Sequence, residues 1–266
     1  MIEVRIANAV LQEALNHGAD FSELYLEDTD RENLSRLETL AAEKQLPITV
    51  TKLPDTNWEE SWKDSYPPQP IGEHLIVLPY WLADQNEGRL PVILDPGLTF
   101  GTGAHPSTRM VMVEMEKFVR PGFRCLDLGS GSGILSLTAL RLGAESAIGM
   151  DIDPKAEDIA RENAAYNGFS APAFTALTGN VTEDRELMAE LSAKEYDLVL
   201  VNIVADVIIS LAPVLPHFLR KDSLLICSGI VDYRLPDVVF ALGSSGISVK
   251  KVREEEDWCC IVCQLK

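Results

Sequence analysis

Positive charge is what this chain has least of. Its 266 residues carry 23 Lys and Arg against 41 Asp and Glu, a formal net charge of −18. Each phosphate contact needs a basic partner, so nucleic acid is not expected as a direct ligand, and a basic protein partner suits the charge better. The acidity is also what keeps many soluble proteins dispersed, so charge alone does not choose. Long apolar runs are missing too: no stretch approaches the roughly 20 residues that span a bilayer, and Met1–Arg5 lacks the basic flank and apolar block of a signal peptide. A cytoplasmic protein with no membrane partner is expected. The five cysteines show no metal-ligand spacing; Cys125 and Cys227 fall in apolar runs and Cys259, Cys260 and Cys263 in the last one, as expected for buried reduced thiols.

The informative segment is Cys125-Leu-Asp-Leu-Gly-Ser-Gly-Ser-Gly133, with Ile148-Gly-Met-Asp-Ile-Asp-Pro154 after it. The apolar run ending at Leu128 reads as a buried parallel strand and Ile134 to Leu142 as the following helix. Gly129, Gly131 and Gly133 fill the turn between, where a Cβ would keep the backbone away from a ligand. Asp151, twenty-two residues after Gly129, fits the acidic residue that ends the second strand of a βαβ unit and accepts hydrogen bonds from both ribose hydroxyls. Dinucleotides use the same geometry, but Asp127 would repel a pyrophosphate and attract the cationic amine and sulfonium of S-adenosylmethionine. Charge therefore favours the methyl donor as cofactor.

Regular alternation surrounds this segment. Residues 1–53 read as a small α/β module, with strands near Glu3–Ile6, Leu24–Glu27 and Ile48–Leu53 and helices near Ala9–Asn16 and Arg31–Lys44. Residues 54–70 read as an amphipathic linker helix, with Trp58, Trp62 and Tyr66 every four residues and a stop at Pro67, Pro68 and Pro70. Residues 71–266 form the main domain. Two strands, His74–Leu78 and Pro91–Leu94, lead into it, and a helix begins near Arg109. After the glycine turn, helices Pro154–Asn167, Thr182–Ser192 and Ile208–Leu219 alternate with strands Phe174–Thr178, Tyr196–Asn202 and Ser223–Ser228. A helix at Leu235–Leu242 and strands at Ile247–Arg253 and Trp258–Leu265 close the chain. The expected fold class is α/β: a Rossmann-like, mostly parallel sheet with an antiparallel terminal strand, preceded by a small α/β domain.

Ligands of such sheets sit beyond the carboxyl ends of the strands, and two further segments land there. Asn202 ends the fourth strand, where a neutral amide can orient an incoming amine or hold the donor without adding charge; capping the next helix is its ordinary alternative. Phe100-Gly-Thr-Gly-Ala-His-Pro-Ser-Thr108 is a flexible polar loop that ends at a helix start, as a lid would. Taken singly, His105 reads as an exposed loop histidine and Ser107 or Thr108 as a helix cap.

These segments together, Phe100–Thr108, Leu126–Ile134, Met150–Pro154 and Asn202–Ala205, resemble the PrmA family, the enzymes that methylate ribosomal protein L-eleven. The resemblance runs from about Trp58 to the C-terminus, and its most specific part is the FGTG-x-HP-x-T loop. It implies a class I methyltransferase in which Thr108, Gly129, Asp151 and Asn202 contact S-adenosylmethionine, Phe100, Gly101 and Asp127 line the same pocket, and Asn202 is catalytic. It also implies a basic ribosomal protein as substrate, methylated on lysine ε-amino groups and, as a further class, an N-terminal α-amino group. Ser107 stands where the family usually has Thr and Val204 where it usually has Leu; the N-terminal module reads as one strand short. Glutamine-directed relatives carry Asn-Pro-Pro-Tyr at the fourth strand, which Asn202-Ile-Val-Ala205 does not match. Another amine substrate, or a non-catalytic donor-binding module, is the rival reading.

Overall fold

The computed structural model of the chain describes residues 2–7, 21–26, 35, 39, 41–42, 48–52, 63, 66–96 and 103–266. The chain divides into two compact units, Met1–Tyr66 and Pro67–Lys266. In the first, β1 (Ile2–Ala7) pairs antiparallel with both β2 (Phe21–Leu26) and β3 (Ile48–Lys52), giving the order β2-β1-β3. Ser35, Thr39, Ala41 and Ala42 are helical, inside the helix expected over 31–44. The helix expected over 9–16 and nearly all of the expected linker helix lie outside the described residues.

In the second unit, β4 (Gln69–Ile71), whose first two residues the proline-rich sequence assigns to the linker, pairs antiparallel with β5 (Leu75–Pro79). β5 in turn runs parallel to β6 (Leu90–Leu94), so these strands form a separate three-stranded sheet. Side chains from two helices anchor it. Glu116, on α1 (Pro106–Phe118), accepts the amides of Glu73, His74 and Leu75 at 2.8–2.9 Å. Asn167, just past α3 (Pro154–Tyr166), accepts from Ile93 N at 3.0 Å and donates to Ile93 O at 2.6 Å, while Asn163 accepts from Asp95 N at 2.8 Å. Paired in this way, buried amides satisfy backbone groups at the sheet edge that would otherwise be orphaned.

The large sheet has the order β12-β13-β11-β10-β7-β8-β9. β7 (Arg124–Leu128), β8 (Ser146–Asp151), β9 (Phe174–Thr178), β10 (Tyr196–Asn202) and β11 (Leu219–Val231) pair parallel. β13 (Trp258–Leu265) is antiparallel to both β11 and β12 (Ile247–Glu255). The antiparallel strand is therefore inserted one place in from the edge, and the edge position goes to β12. Along β10, Leu198 and Leu200 pack into one core while Val199 and Val201 pack into another, so both faces of the sheet are covered. Residues of α1, α2 (Ile134–Arg141) and α3 fill the first core. The second takes α4 (Arg185–Ser192), α5 (Ala205–Leu211) and α6 (Leu235–Ser244). A helix expected over 208–219 is instead α5 followed by a short 3-10 turn at Leu215–Phe218, because Pro213 and Pro216 cannot supply the amides of a continuous helix. All five cysteines are buried and free.

Candidate functional site

Connections to the right and left of β7 diverge between β7 and β10, which makes the carboxyl ends of these two strands the topological switch point where α/β sheets take ligands. The turn after β7 is drawn tight against β8: the amides of Gly129 and Ser130 both donate to Met150 O, at 2.8 and 3.0 Å. Gly129 has φ +77°, and a Cβ there would lie 3.1 Å from Ile203 Cδ1, so glycine serves both the turn and the packing. Asp151 ends β8. Its Oδ2 accepts from Gly131 N at 2.9 Å and its Oδ1 from Asp153 N at 3.0 Å, which locks the carboxylate between the glycine turn and the start of α3. Beside it opens a cleft of about 400 Å³, lined by Gly129, Asp151, Ile152, Asn180, Val181 and Ile203, among others. That volume is at the small end of ordinary ligand sites.

Asp127 lies beneath the turn and not on the cleft wall. Its Oδ2 accepts from the amide and hydroxyl of Ser136, at 3.1 and 2.8 Å, and so fixes the first turn of α2. Its Oδ1 has no partner among the described residues. Burial pushes this carboxyl up to about 7; the Ser136 hydrogen bonds oppose the shift and nearby Asp151 adds to it. An orphaned, buried acid next to a nucleoside-sized cleft is a reason for a cationic ligand to bind there and for a phosphate to be rejected.

Asn202 ends β10, and its Nδ2 donates to Thr108 Oγ1 at 3.1 Å, across 94 residues of sequence. It does not cap α5, whose N-cap is Val204 without a side-chain bond. Thr108 is buried in the first turn of α1, and neither it nor Ser107 is the cap; that position belongs to His105, whose Nδ1 accepts from Ser107 N at 3.3 Å and lies 2.7 Å from Ser107 Oγ. The His105 ring also meets Trp258 edge-on at 4.5 Å. Burial, and then the charge of Arg109, hold its pKa below the usual range. A histidine committed in this way caps and packs, so the free exposed loop histidine expected from sequence is not what the fold contains. Phe100 and Gly101 lie outside the described residues.

The chain matches the family model described as ribosomal protein L11 methyltransferase (PrmA) over residues 3–266. It belongs to that family. Among relatives, the ribosomal protein L11 methyltransferase of Lachnoclostridium phytofermentans is 31% identical over 249 residues, 88% of this chain and 75% of that protein. The L11 methyltransferase of Clostridium perfringens is 36% identical over 220 residues, 82% and 67% of the two chains. The crystal structure of the ribosomal protein L11 methylase from Lactobacillus delbrueckii subsp. bulgaricus aligns with TM-score 0.67 at 30% identity, over 76% of this chain and all of that one. A methyltransferase structure complexed with SAH aligns with TM-score 0.53 at 11% identity, covering 72% and 69% of the two chains, a likeness of fold alone.

Within the L11 methyltransferase framework, the structure brings Gly129 and Asp151 together on one cleft and joins Thr108 to Asn202 next to Ile203. It also adds residues that the motifs did not single out. Ile152, 71% exposed directly after Asp151, and Asn180 and Val181, two and three residues after β9, stand on the same cleft. The available sequence signal was positional: each lies just past the carboxyl end of one of the two strands, β8 and β9, that flank β7 on that side of the sheet.

Proposed function

We propose that this chain transfers methyl groups from S-adenosylmethionine to amino groups of ribosomal protein L11, with lysine side chains as the acceptors. The observation that carries the reading is the Asn202–Thr108 hydrogen bond, formed beside the cleft that Asp151 and the glycine turn define. A cleft alone would suit a binding protein, whereas a locked pair of neutral polar side chains at the end of β10 gives an acceptor amine something to be oriented by.

The donor supplies an electrophilic methyl on a sulfonium, so no covalent enzyme intermediate is needed. Asp151, held by two backbone amides, is preorganised to accept the ribose hydroxyls. The exposed Ile152 side chain offers an apolar surface to the base, with Asn180 as a polar group at the same wall. Asp127 provides the negative potential that favours a cationic ligand. A lysine amine has a pKa of about 10.4 in water and must arrive neutral; desolvation between Asn202, Thr108 and the cleft lowers that value, and the proton leaves to solvent. Asn202 is the catalytic residue in this reading, acting by alignment and not by proton transfer. The acidic chain suits a basic substrate, the unit Met1–Tyr66 is assigned to substrate recognition, and the site of action is the cytoplasm. Among the described residues no helix is long and apolar enough to cross a membrane.

The test is mass spectrometry of L11 after incubation with the purified chain and S-adenosylmethionine, together with calorimetry of adenosylhomocysteine binding. Added mass on lysines of L11 is expected, and Asp151→Ala should weaken adenosylhomocysteine binding at least 100-fold, an order-of-magnitude expectation for losing two charged hydrogen bonds. Unmodified L11 with intact adenosylhomocysteine binding would leave a binding module and refute methyl transfer to this substrate.

A further inference from the structure

Three of the most exposed apolar side chains among the described residues lie one or two residues past the carboxyl ends of strands. Ile152 (71% exposed) follows β8, Val204 (61%) follows β10, and Tyr233 (76%) follows β11. Ile152 belongs to the cleft wall; Val204 and Tyr233 do not. Single exposed apolar side chains are ordinary, but two of them on segments that are joined to each other beside the aligning Asn202 form a candidate contact surface.

Several contacts hold this pair beside Asn202. Asn202 pairs with Ser228 across β10 and β11, and Ile203 N donates to Ser228 O at 3.1 Å. Arg234, next to Tyr233, bridges Asp206 on the first turn of α5 at 2.6 Å, which clips the segment after β10 to the segment after β11. Asp232 N donates to Asp257 O at 3.0 Å, tying the same segment to the β12–β13 turn, and Val231 pairs with Trp258. Trp258 packs on His105, and Arg109 is ion-paired to Glu255, so the N-terminal end of α1 is fastened to the two residues that flank the same turn. A connected rim therefore surrounds the end of β10, and Val204 and Tyr233 are its apolar part.

The rest of this rim is acidic. Asp206, Asp232 and the run Glu254-Glu255-Glu256-Asp257 lie along it, with Arg109 and Arg234 engaged as their counter-charges. An apolar pair set in negative potential matches a flexible basic segment: aliphatic lysine stems pack on Val204 and the tyrosine ring, and ammonium groups meet the ring face and the carboxylates.

We propose that Val204 and Tyr233 form the lip on which the lysine-bearing segment of the protein substrate docks, with the acidic rim reading its flanking positive charge. This rests on the methyl-transfer reading above and names how that site selects its substrate. The lip acts on binding of the protein and not on the donor.

The test is steady-state kinetics of the full chain with L11, alongside calorimetric binding of adenosylhomocysteine. Tyr233→Ala and Val204→Lys should each raise KM for L11 about tenfold, the size of a moderate interface contact. kcat and adenosylhomocysteine affinity should stay within about twofold of wild type, since neither residue touches the cleft. Tyr233→Phe should keep the low KM, because ring and stem contacts survive loss of the hydroxyl. An unchanged KM for L11 in both Tyr233→Ala and Val204→Lys would overturn the lip while leaving methyl transfer intact. Weakened adenosylhomocysteine binding in the variants would reassign the residues to the donor pocket, and dimeric wild type with monomeric variants would reassign the lip to a contact between two copies. Absence of L11 methylation by wild type would sink the functional reading and the lip together.

Discussion

Gly229→Ala should be far more damaging than a glycine change of the same backbone type elsewhere. Gly229 and Gly246 have nearly identical left-handed conformations, φ +79° and +80°. An alanine at either position carries the left-handed penalty of about 1–2 kcal/mol. Their surroundings differ completely. A Cβ at Gly246 meets nothing within 4 Å, whereas at Gly229 it would stand 2.5 Å from Ile203 O, 2.9 Å from Ile203 C and 3.0 Å from Ile203 N. Ordinary contact begins near 3.4 Å, so the Ile203 carbonyl must withdraw by 3.4 − 2.5, about 0.9 Å. Ile203 is backbone neighbour to Asn202, and its side chain packs over Gly129 on the other side, so the displacement passes to both the aligning amide and the cleft wall. Overpacking adds about 1–3 kcal/mol to the left-handed penalty, and a misplacement of about 1 Å costs on the order of 100-fold in rate. Thermal unfolding and kcat measured side by side on the two variants provide the assay. Gly246→Ala should lose only the conformational part of stability and keep wild-type kcat; Gly229→Ala should lose more stability and most of its kcat at temperatures where it is folded. Equal stability and equal kcat in the two variants would refute the reasoning.

Asp127 should make the ligand-free protein and its donor binding respond to pH in opposite senses. Burial raises its pKa from 3.8 to about 7 in the fold, so its contribution to stability is present below about pH 4 and is lost as pH climbs to about 7. A cationic ligand needs the carboxylate, so S-adenosylmethionine affinity should rise up to about pH 7 and level off above it; Asp127→Asn should flatten both profiles in denaturation and calorimetry, and an unchanged wild-type slope in the variant would contradict the assignment. Thr108→Val removes the acceptor of the Asn202 amide and should lower kcat about tenfold, with Thr108→Ser recovering most of it; equal rates in the two variants would mean that the hydrogen bond does not align the amide. Glu114 has a fully inaccessible side chain on α1 and is paired to Lys117, Lys251 and Arg253. Glu114→Gln should destabilise the chain by about 3 kcal/mol in chemical denaturation; a loss under about 0.5 kcal/mol would show that the buried charge contributes nothing net.

The legible parts of this protein were those with a local cause. Strands buried on both faces leave continuous apolar runs such as Leu198–Val201 in β10 and Cys259–Cys263 in β13, so these two were readable to the residue, and β9 alternates apolar and polar residues over Phe174–Ala176 in the two-residue period of a strand. The glycine turn and Asp151 were readable because one turn of backbone and one βα spacing set them. Proline stops inside apparent helices were harder: the periodicity around Ile208 continues past Pro213, but the backbone does not. The place of β13 inside the sheet was not readable from connectivity, since either strand of a terminal hairpin can pair with the sheet; the charged β12 takes the edge and the apolar β13 the interior.

By itself, the sequence determined which stretches become strands and helices and which end of the sheet carries glycine and carboxylate, because short-range sterics and burial patterns decide those. Tertiary structure alone decided that Thr108 meets Asn202, that Asp127 sinks beneath its turn to hold Ser136, that Ile152 and Asn180 share a wall, and that Ile203 sits between Gly129 and Gly229. These relations join segments tens of residues apart through hydrogen bonds and close backbone approach, and such contacts follow from how the elements pack, with no pattern along the chain to announce them.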